Sequence, residues 1–370
     1  MTQVLSPPAA TSVVNFRGLD VLRCCAALAV VIYHSSSGFN EFLPKAPVRF
    51  LHNLPVGVDF FFLISGFLIT YLLLTEKDRA GTISLRRFYV RRSLRIFPLY
   101  YLTLAIAWYL HSEANPDINF SSFLAFVGNY WMIHHDWTVA TLNPLWSVCI
   151  EEQFYLVIPL LVLLLPTRRL LWLFGGIVLL SIAFRAYTAV AQAPNIWMII
   201  YCHALSRCDV LALGGGLAWW HFHRPIRLRL PRWTLFVALL GLVFLLTNID
   251  AADYTTVPFA VFKKYSYVLP LVFIFCFVLF NKTDEPATAP GPVNRAASYL
   301  GKISYGLYMY HCPLTFVLDD YPVYYADDQI VRLLVILVLT IAAAALSYEL
   351  FEKQILRLKH RFEVVRTVRA

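Results

Sequence analysis

The 370-residue sequence has few charged residues, 14% of the chain against 59% hydrophobic residues, which is too apolar for a soluble globular protein of this length. Its seven cysteines are odd in number and lack the spacing of a disulfide framework or a zinc site, so we expect them to be packing residues. The sequence also lacks His-Glu-x-x-His, Gly-x-x-x-x-Gly-Lys-Ser/Thr and Gly-x-Gly-x-x-Gly motifs. Glycines 214–216 are therefore expected to allow close helix packing rather than to bind phosphate.

Hydrophobic segments recur from one end of the chain to the other and leave no separate soluble domain. Ten of them could cross a membrane, near residues 19–36, 54–75, 94–111, 147–166, 170–190, 203–222, 233–248, 265–281, 300–319 and 329–350. We expect an all-α integral membrane protein, a polytopic bundle of about ten transmembrane helices. It would form a single domain over residues 1–370, with no appended soluble domain. A shorter apolar stretch, 121–133, is expected to be interfacial or re-entrant.

The formal net charge of +9 raises nucleic acid as a partner, but the placement of the basic residues gives another explanation. If the N-terminus is cytoplasmic, the segments on the cytoplasmic side carry 24 of the 31 Lys and Arg residues. The loops on the outer side hold only Lys45, Arg49, Lys263 and Lys264. This asymmetry follows the positive-inside rule and predicts two cytoplasmic termini, with the lipid bilayer as partner and no nucleic acid.

The first span, within residues 15–37, places an arginine and a histidine in an otherwise apolar helix. Arg23 and His34 are eleven residues apart, so they share one helical face at an axial separation of roughly 16 Å. Ionisable side chains are costly at membrane depth and commonly mark a pathway or a site. The alternative is an ordinary helix in which Arg23 snorkels to the cytoplasmic interface and His34 caps the other end.

On this topology, five ionisable residues from four spans fall at similar depth near the outer surface: His34, Asp59, Glu151, Arg207 and Asp209. Interhelical ion pairs that fix helix packing are a structural explanation. A histidine, however, is the side chain best suited to exchange a proton near neutral pH, and a carboxylate can orient its ring. We therefore expect His34 to be catalytic, with Asp59 or Glu151 orienting it.

A run of arginines at the cytoplasmic mouth of the third span forms a second candidate site. Arg92 and Arg95 are three residues apart and can grip the same group, with Arg91 beside them. Guanidinium groups suit phosphate, so these residues could hold a phosphorylated cofactor. They could equally be anchors that touch lipid headgroups, the interpretation that we favour for Arg86 and Arg87.

Six ordered motifs within about residues 15–315 resemble those of the acyltransferase 3 family of bacterial membrane acyltransferases. The motifs are RGLDVLR, GVDFFFLISGFLIT, RRSLRIFPLY, WSVCIEEQFY, RCDVLALG and GKISYGLYMYHCPL. The family takes an acyl group, commonly acetyl from acetyl-CoA, and passes it to a hydroxyl of a sugar or a related acceptor. The resemblance implies a ten-helix transmembrane domain with acyl-CoA as donor substrate, and no metal is expected.

The resemblance also implies roles for individual residues. The catalytic set that it implies is His34, Asp59 and Glu151. It also implies that Arg23 is essential and that the region of Arg92 and Arg95 binds the donor. With Arg91 beside them and Arg23 placed towards the cytoplasm, the expected donor-binding set is Arg23, Arg91, Arg92 and Arg95. Further candidates are the histidine of the ninth-span motif, His311, and residues of two other motifs, Glu152, Tyr155, Arg207 and Asp209.

The polar residues and the resemblance together predict a membrane O-acyltransferase in the bacterial cytoplasmic (inner) membrane. His34 would take a proton from a hydroxyl of a glycan or glycolipid acceptor, which then attacks the acetyl-CoA thioester directly. A covalent acyl-histidine intermediate is the alternative mechanism. The tyrosine-rich loop 318–328 could stack on sugar rings, or be a solvated loop. Candidate protein partners belong to polysaccharide export or biosynthesis.

The competing hypothesis is a proton-coupled transporter, such as a flippase for a lipid-linked glycan. In that case His34, Asp59, Glu151 and Arg207 would form a proton relay across the membrane. The lack of an evident internal repeat tells mildly against it.

Overall fold

The structure, a computed structural model, is almost entirely helical. It describes residues 13–14, 16, 18–41, 43–111, 118–137, 139–249, 256–281, 291–320, 328–362 and 366–367. The α-helices within these ranges are α1 (Leu19–Ser35), α2 (Lys45–His52), α3 (Val56–Ala80), α4 (Leu85–His111), α5 (Phe120–Leu124), α6 (Gly128–His135), α7 (Leu145–Leu164), α8 (Thr167–Val190), α9 (Ile196–Cys202), α10 (Ala204–His223), α11 (Arg232–Asn248), α12 (Val257–Phe280), α13 (Pro292–Lys302), α14 (Ser304–Asp320), α15 (Gln329–Ser347) and α16 (Lys353–Lys359).

Seven helical segments of the described chain are long and apolar enough to cross a membrane. They are Lys45–Ala80, Leu85–His111, Ala140–Leu164, Thr167–Val190, Ile196–His223, Val257–Phe280 and Gln329–Lys359. A helix also lies at each of the three other predicted positions, where α1, α11 and α14 have 17 residues each. The all-α membrane bundle is thus confirmed, whereas the count of ten spans stays a prediction.

The outer helices expose large apolar side chains. Trp172 on α8 is 82% exposed, Phe244 on α11 is 65% exposed and Leu346 on α15 is 61% exposed. An aqueous surface would disfavour so many exposed apolar groups, whereas lipid tails accommodate them. These faces therefore suit contact with the bilayer.

The packing of α3 against α10 forms the centre of the bundle. A Cβ at Gly66 would collide with the carbonyl of Leu211, and one at Gly214 would collide with the carbonyl of Leu63. Small residues let two helix backbones approach closely inside a membrane protein. The predicted packing role is confirmed for Gly214. A Cβ at Gly216 would make only an ordinary van der Waals contact with the Phe174 side chain, so no close packing requires a glycine there.

Shorter elements complete the fold. The stretch 121–133 forms parts of α5 and α6, which are too short to span a membrane, and Phe123 of α5 is fully buried. Two short parallel strands, β1 (Val13–Val14) and β2 (Arg366–Thr367), pair with each other. This pairing places the two ends of the described chain side by side.

Candidate active site

Helix α1 carries both Arg23 and His34, and the two side chains border two different cavities. We call them the arginine cavity and the histidine cavity. Arg23 lies 3.5 Å from the carboxylate of Asp20, one turn earlier on the same helix. The axial separation expected from the sequence thus corresponds to two separate compartments of the bundle.

The arginine cavity has a volume of about 80 Å³ and is lined by α1, α3, α4, α7 and α14. Its charged and aromatic lining includes Arg23, Arg92, Arg95, Glu151 and Tyr155. The hydroxyl of Tyr155 donates to the Oε2 atom of Glu151 at 3.1 Å, and the Arg92 guanidinium lies 5.6 Å from the Tyr155 ring centroid. Three guanidinium groups around one narrow cavity suit an anionic or strongly polar ligand.

Arg91 and Glu152, two further predicted site residues, are not among the residues that line either cavity. Arg91 donates to the backbone carbonyl of Phe362 at 2.7 Å and lies 3.3 Å from the carboxylate of Glu76. The buried Oε1 atom of Glu152 has no hydrogen-bond partner within the described ranges. Adjacent positions of a helix point in different directions, which explains why Arg91 is separated from Arg92.

The histidine cavity is larger, with a volume of about 450 Å³, inside the usual range of small-molecule sites. Its ionisable lining consists of His34, His52, Asp59, Arg207 and Lys263. Its aromatic lining includes Trp137, Trp146, Trp197, Tyr201 and Tyr267. The rings of Trp197 and Tyr201 are stacked with their centroids 5.1 Å apart. Broad aromatic faces with a few convergent polar groups are typical of a ligand site.

The two cavities meet at Val58 and Tyr308, which line both. The Tyr308 hydroxyl lies 2.7 Å from the Oγ atom of Ser147 and donates to the carbonyl of Pro144 at 3.2 Å. These contacts hold Tyr308 of α14 against the start of α7. Groups held in the two cavities are therefore separated by a partition only about one side chain thick.

His34 contacts a second histidine, His311 of α14. The Nε2 atom of His311 lies 3.2 Å from the Nδ1 atom of His34, and that Nδ1 atom also lies 3.1 Å from the carbonyl of Val30. The ring centroids are 4.8 Å apart, and His311 is fully buried. The sequence pointed to His311 only through a motif, because nothing in it pairs two residues that are 277 positions apart.

Asp59 shares the histidine cavity with His34 but is held by cations. Its carboxylate lies 3.3 Å from the Nη2 atom of Arg207 and 3.6 Å from the Nζ atom of Lys264. In the part of the chain that the structure describes, no carboxylate hydrogen-bonds the His34 ring. The Arg207 guanidinium in turn lies about 5 Å from the ring centroid of Tyr201. Asp59 thus fixes Arg207 at the cavity wall.

Asp209 belongs to a buried ion-pair network and lines neither cavity. Its carboxylate accepts from Lys264 at 2.6 Å, from Arg185 at 2.8 Å and from Tyr265 at 2.8 Å. The network joins α8, α10 and α12. The assignment of Lys264 to an outer loop is therefore wrong, since Lys264 lies inside α12 and is buried. Sequence reasoning missed this residue and its neighbour Arg185 as partners of Asp209.

Of the five ionisable groups predicted to gather at one depth, the structure brings four together, since Lys264 contacts both Asp59 and Asp209, and separates Glu151 from them. His34, Asp59 and Arg207 share the histidine cavity, while Glu151 lines the arginine cavity and Asp209 lies in the network. The reason is local. Ser147 contacts the partition, and Glu151 follows one helical turn later on α7, which carries its carboxylate past the partition.

One group of side chains within the described ranges could hold a metal ion, namely His34, His311 and Cys312, whose ligand atoms lie within 4.8 Å of one another. Two imidazoles and a thiol suit an ion such as zinc, which has four protein ligands in structural sites and three plus a water in catalytic sites. No fourth ligand is grouped with these three. The absence of a metal stays a prediction.

The sequence of the chain was compared with those of known proteins and protein families. The acyltransferase domain model of the acyltransferase 3 family matches residues 16–349. A Staphylococcus aureus (strain COL) protein named "Putative O-acetyltransferase" is 30% identical over 369 residues, covering 90% of this chain and 56% of that protein. The peptidoglycan O-acetyltransferase OatA of Listeria monocytogenes is 27% identical over 332 residues, covering 80% of this chain and 49% of that protein.

A third relative, the O-acetyltransferase OatA of Staphylococcus aureus (strain NCTC 8325), is 26% identical and covers 91% of this chain and 57% of that protein. The chain thus spans about half the length of the curated relatives that it matches. No solved structure matches the chain significantly. The family match extends over nearly the whole chain and agrees with an enzyme rather than a transporter. The chain belongs to the acyltransferase 3 family of membrane acyltransferases.

Proposed function

We propose that the protein transfers an acetyl group from cytoplasmic acetyl-CoA to a hydroxyl of a sugar in an exported polysaccharide or glycolipid. The observation that carries this proposal is the pair of cavities that meet at Val58 and Tyr308. One cavity is cationic and narrow, and the other is wide, aromatic and contains a histidine. Such a division suits a reaction whose two substrates arrive from opposite sides of a membrane.

The arginine cavity is the proposed donor side. Arg92 and Arg95 would bind the phosphates of acetyl-CoA, because guanidinium groups bind phosphate oxygens through charge-assisted hydrogen bonds. A cavity of about 80 Å³ has room for a thin part of the donor only, so the acyl end of the flexible arm would enter it and the nucleotide would stay outside. Arg23, deeper in the bundle, would meet that arm.

The orientation of the donor side follows from the distribution of charge. The segments predicted to be cytoplasmic carry 24 of the 31 basic residues, and the N-terminal end of α4, with Arg92 and Arg95, belongs to one of them. By the positive-inside rule this end faces the cytoplasm, where acetyl-CoA is made. We therefore place the protein in the bacterial cytoplasmic (inner) membrane, with ten spans and both termini in the cytoplasm.

The histidine cavity is the proposed acceptor side. Its aromatic faces can stack on the apolar faces of sugar rings, while Asp59 and Arg207 offer hydrogen bonds to hydroxyl groups. One relative is named for peptidoglycan, a glycan outside the cytoplasmic membrane, which supports a glycan acceptor for this chain as well. The tyrosines of the loop 318–328 lie outside the described residues.

His34 is the proposed base. It would take the proton from the acceptor hydroxyl, the hydroxyl oxygen would attack the thioester carbon, and the carbon–sulfur bond would break to release the thiolate of CoA. The proton on His34 would then pass to that thiolate. Glu151 lines the other cavity and cannot orient this ring, so its proposed place is on the donor side beside Tyr155.

A transfer assay in proteoliposomes tests the proposal. Labelled acetyl-CoA would be supplied on the side of the basic loops and an extracted cell-envelope glycan on the other, with wild-type protein compared with His34→Ala. Label should reach the glycan with the wild type and fall on the order of 10²- to 10⁴-fold with His34→Ala, the usual range for a general base. Glycan that crosses the membrane without receiving label would refute the transferase.

The donor assignment has its own test. Arg95→Ala and Arg23→Lys should raise the KM for acetyl-CoA, whereas Arg87→Ala should not, because Arg87 is exposed on the same helix as Arg95. With acetyl-pantetheine, a donor that lacks the nucleotide phosphates, Arg95→Ala should match the wild type. An equal loss with both donors would contradict phosphate binding at Arg95.

A further inference from the structure

We infer that His311 is a positioning residue that fixes the proton of His34 on Nδ1 and so leaves its Nε2 atom free to act as the base. The inference deepens the proposed function and rests on it. It starts from the contact between the Nε2 atom of His311 and the Nδ1 atom of His34 at 3.2 Å. No carboxylate takes this place within the described ranges.

The position of the proton follows from the two partners of the His34 Nδ1 atom. The carbonyl of Val30, 3.1 Å from that atom, can only accept a hydrogen bond, and this contact assigns the proton of a neutral His34 to Nδ1. The same N–H then faces the Nε2 atom of His311, which must be the unprotonated nitrogen of that ring. The remaining nitrogen of His34, Nε2, therefore has a free lone pair.

His311 itself then has its proton on Nδ1. This nitrogen is turned towards the backbone carbonyls of Leu307 and Tyr308, although neither lies in hydrogen-bond geometry. His311 is fully buried and lines neither cavity, so it cannot touch a substrate bound in them. Its only route to the chemistry is through the ring of His34, which makes it a positioning residue rather than a catalytic one.

The contact also has a role after proton transfer. When His34 accepts the hydroxyl proton on Nε2, its ring becomes a cation that has N–H bonds on both nitrogens. The Nε2 lone pair of His311 accepts the hydrogen bond of the Nδ1–H group and stabilises that charge, as an orienting carboxylate does in other histidine-based sites. No atom leaves His311, and the proton on His34 Nε2 goes on to the thiolate of CoA.

Two substitutions of His311 by amide side chains of different length test the inference. In His311→Gln the amide can sit where Nε2 was and can still accept from His34, whereas in His311→Asn it is too short to do so. We expect the kcat of His311→Asn to fall on the order of 10²-fold with unchanged KM for both substrates. His311→Gln should retain at least about tenfold more activity than His311→Asn. Equal activity of these two variants would overturn the inference.

A double variant separates positioning from packing. If His311 acts only through His34, adding His311→Asn to His34→Ala should cause no further loss, because residues that act as a unit are not additive. A further loss equal to that of His311→Asn alone would show a merely structural role and overturn the inference. If His34→Ala itself keeps full activity, the proposed base is wrong; if only the His311 variants keep it, this inference alone fails.

Met309→Leu is the matched control, since Met309 lies two residues before His311 on α14, is also fully buried and lines neither cavity. It should leave kcat and KM unchanged and retain the thermal stability of the wild type in detergent. A loss of activity with Cys312→Ser that added zinc restores would identify His34, His311 and Cys312 as metal ligands. That result would also overturn the positioning role.

Discussion

The buried network around Asp209 gives the most specific prediction about stability. Asp209 and Arg185 are fully buried, Lys264 is nearly so, and the three side chains are joined by contacts of 2.6 and 2.8 Å. Asp209→Asn keeps the shape of the side chain but removes the negative charge. Two buried cations then lose their shared partner, which costs far more than the original pair contributes.

The expected loss follows from the degree of burial. Removing one partner of a buried ion pair costs about 3–5 kcal/mol, since the remaining charge stays in a medium of low dielectric constant. The matched control is Glu349→Gln. Glu349 lies 2.6 Å from Lys353, and both side chains are 45% exposed. Water screens this pair, so its loss should cost much less than the loss of the buried pair.

Equilibrium unfolding in mixed micelles, followed by far-ultraviolet circular dichroism, measures both variants. Replacing Asp209, Arg185 and Lys264 together by apolar residues of similar volume should recover most of the loss, because the two buried charges that remain beside them, Asp59 and Arg207, pair with each other. Equal losses for Asp209→Asn and Glu349→Gln would refute the reasoning. So would a triple variant that is less stable than Asp209→Asn.

Two further predictions concern the helix contacts around the site. Gly214→Ala should lower the free energy of unfolding by about 1–3 kcal/mol, because the new Cβ would meet the carbonyl of Leu63. Gly216→Ala, its control in the same unfolding assay, should be neutral or stabilising. Tyr308→Ala should join the two cavities and so raise the rate of acetyl-CoA hydrolysis measured without acceptor. Tyr308→Phe keeps the ring and is the control. Equal hydrolysis by the two variants would exclude Tyr308 as the partition.

The positions of the long helices could be predicted because each one is an uninterrupted apolar run, and such runs are visible without any tertiary contact. Their lengths were less certain. The prediction started α12 at residue 265, whereas the structure begins it at Val257. The two lysines near its start suggested a loop, since a lysine is costly in a membrane helix unless it has a partner. Asp209, the partner of Lys264, lies 55 residues away, so the sequence alone could not show the pairing.

The sequence pointed to most of the ionisable residues that line the two cavities, but only partly to how they are arranged. The spacing of Arg23 and His34 gave a correct expectation that they lie far apart on α1, because helical rise fixes that distance. Whether Glu151 faces His34 depends instead on the depth at which α7 packs against α1 and α14. One turn of offset was enough to move its carboxylate from the expected cavity into the other one.

One face of α14 links the partition to the proposed base. Tyr305 lines the arginine cavity, Tyr308 lines both cavities, and His311 contacts His34, and these residues follow one another at intervals of three. Residues at this spacing lie on neighbouring turns of one helical face. A displacement of α14 relative to α1 therefore changes the closure of the partition and the hydrogen bond of His34 at the same time. The residue shared by the two cavities and the histidine that contacts the proposed base thus lie on one helix, not on two independent parts.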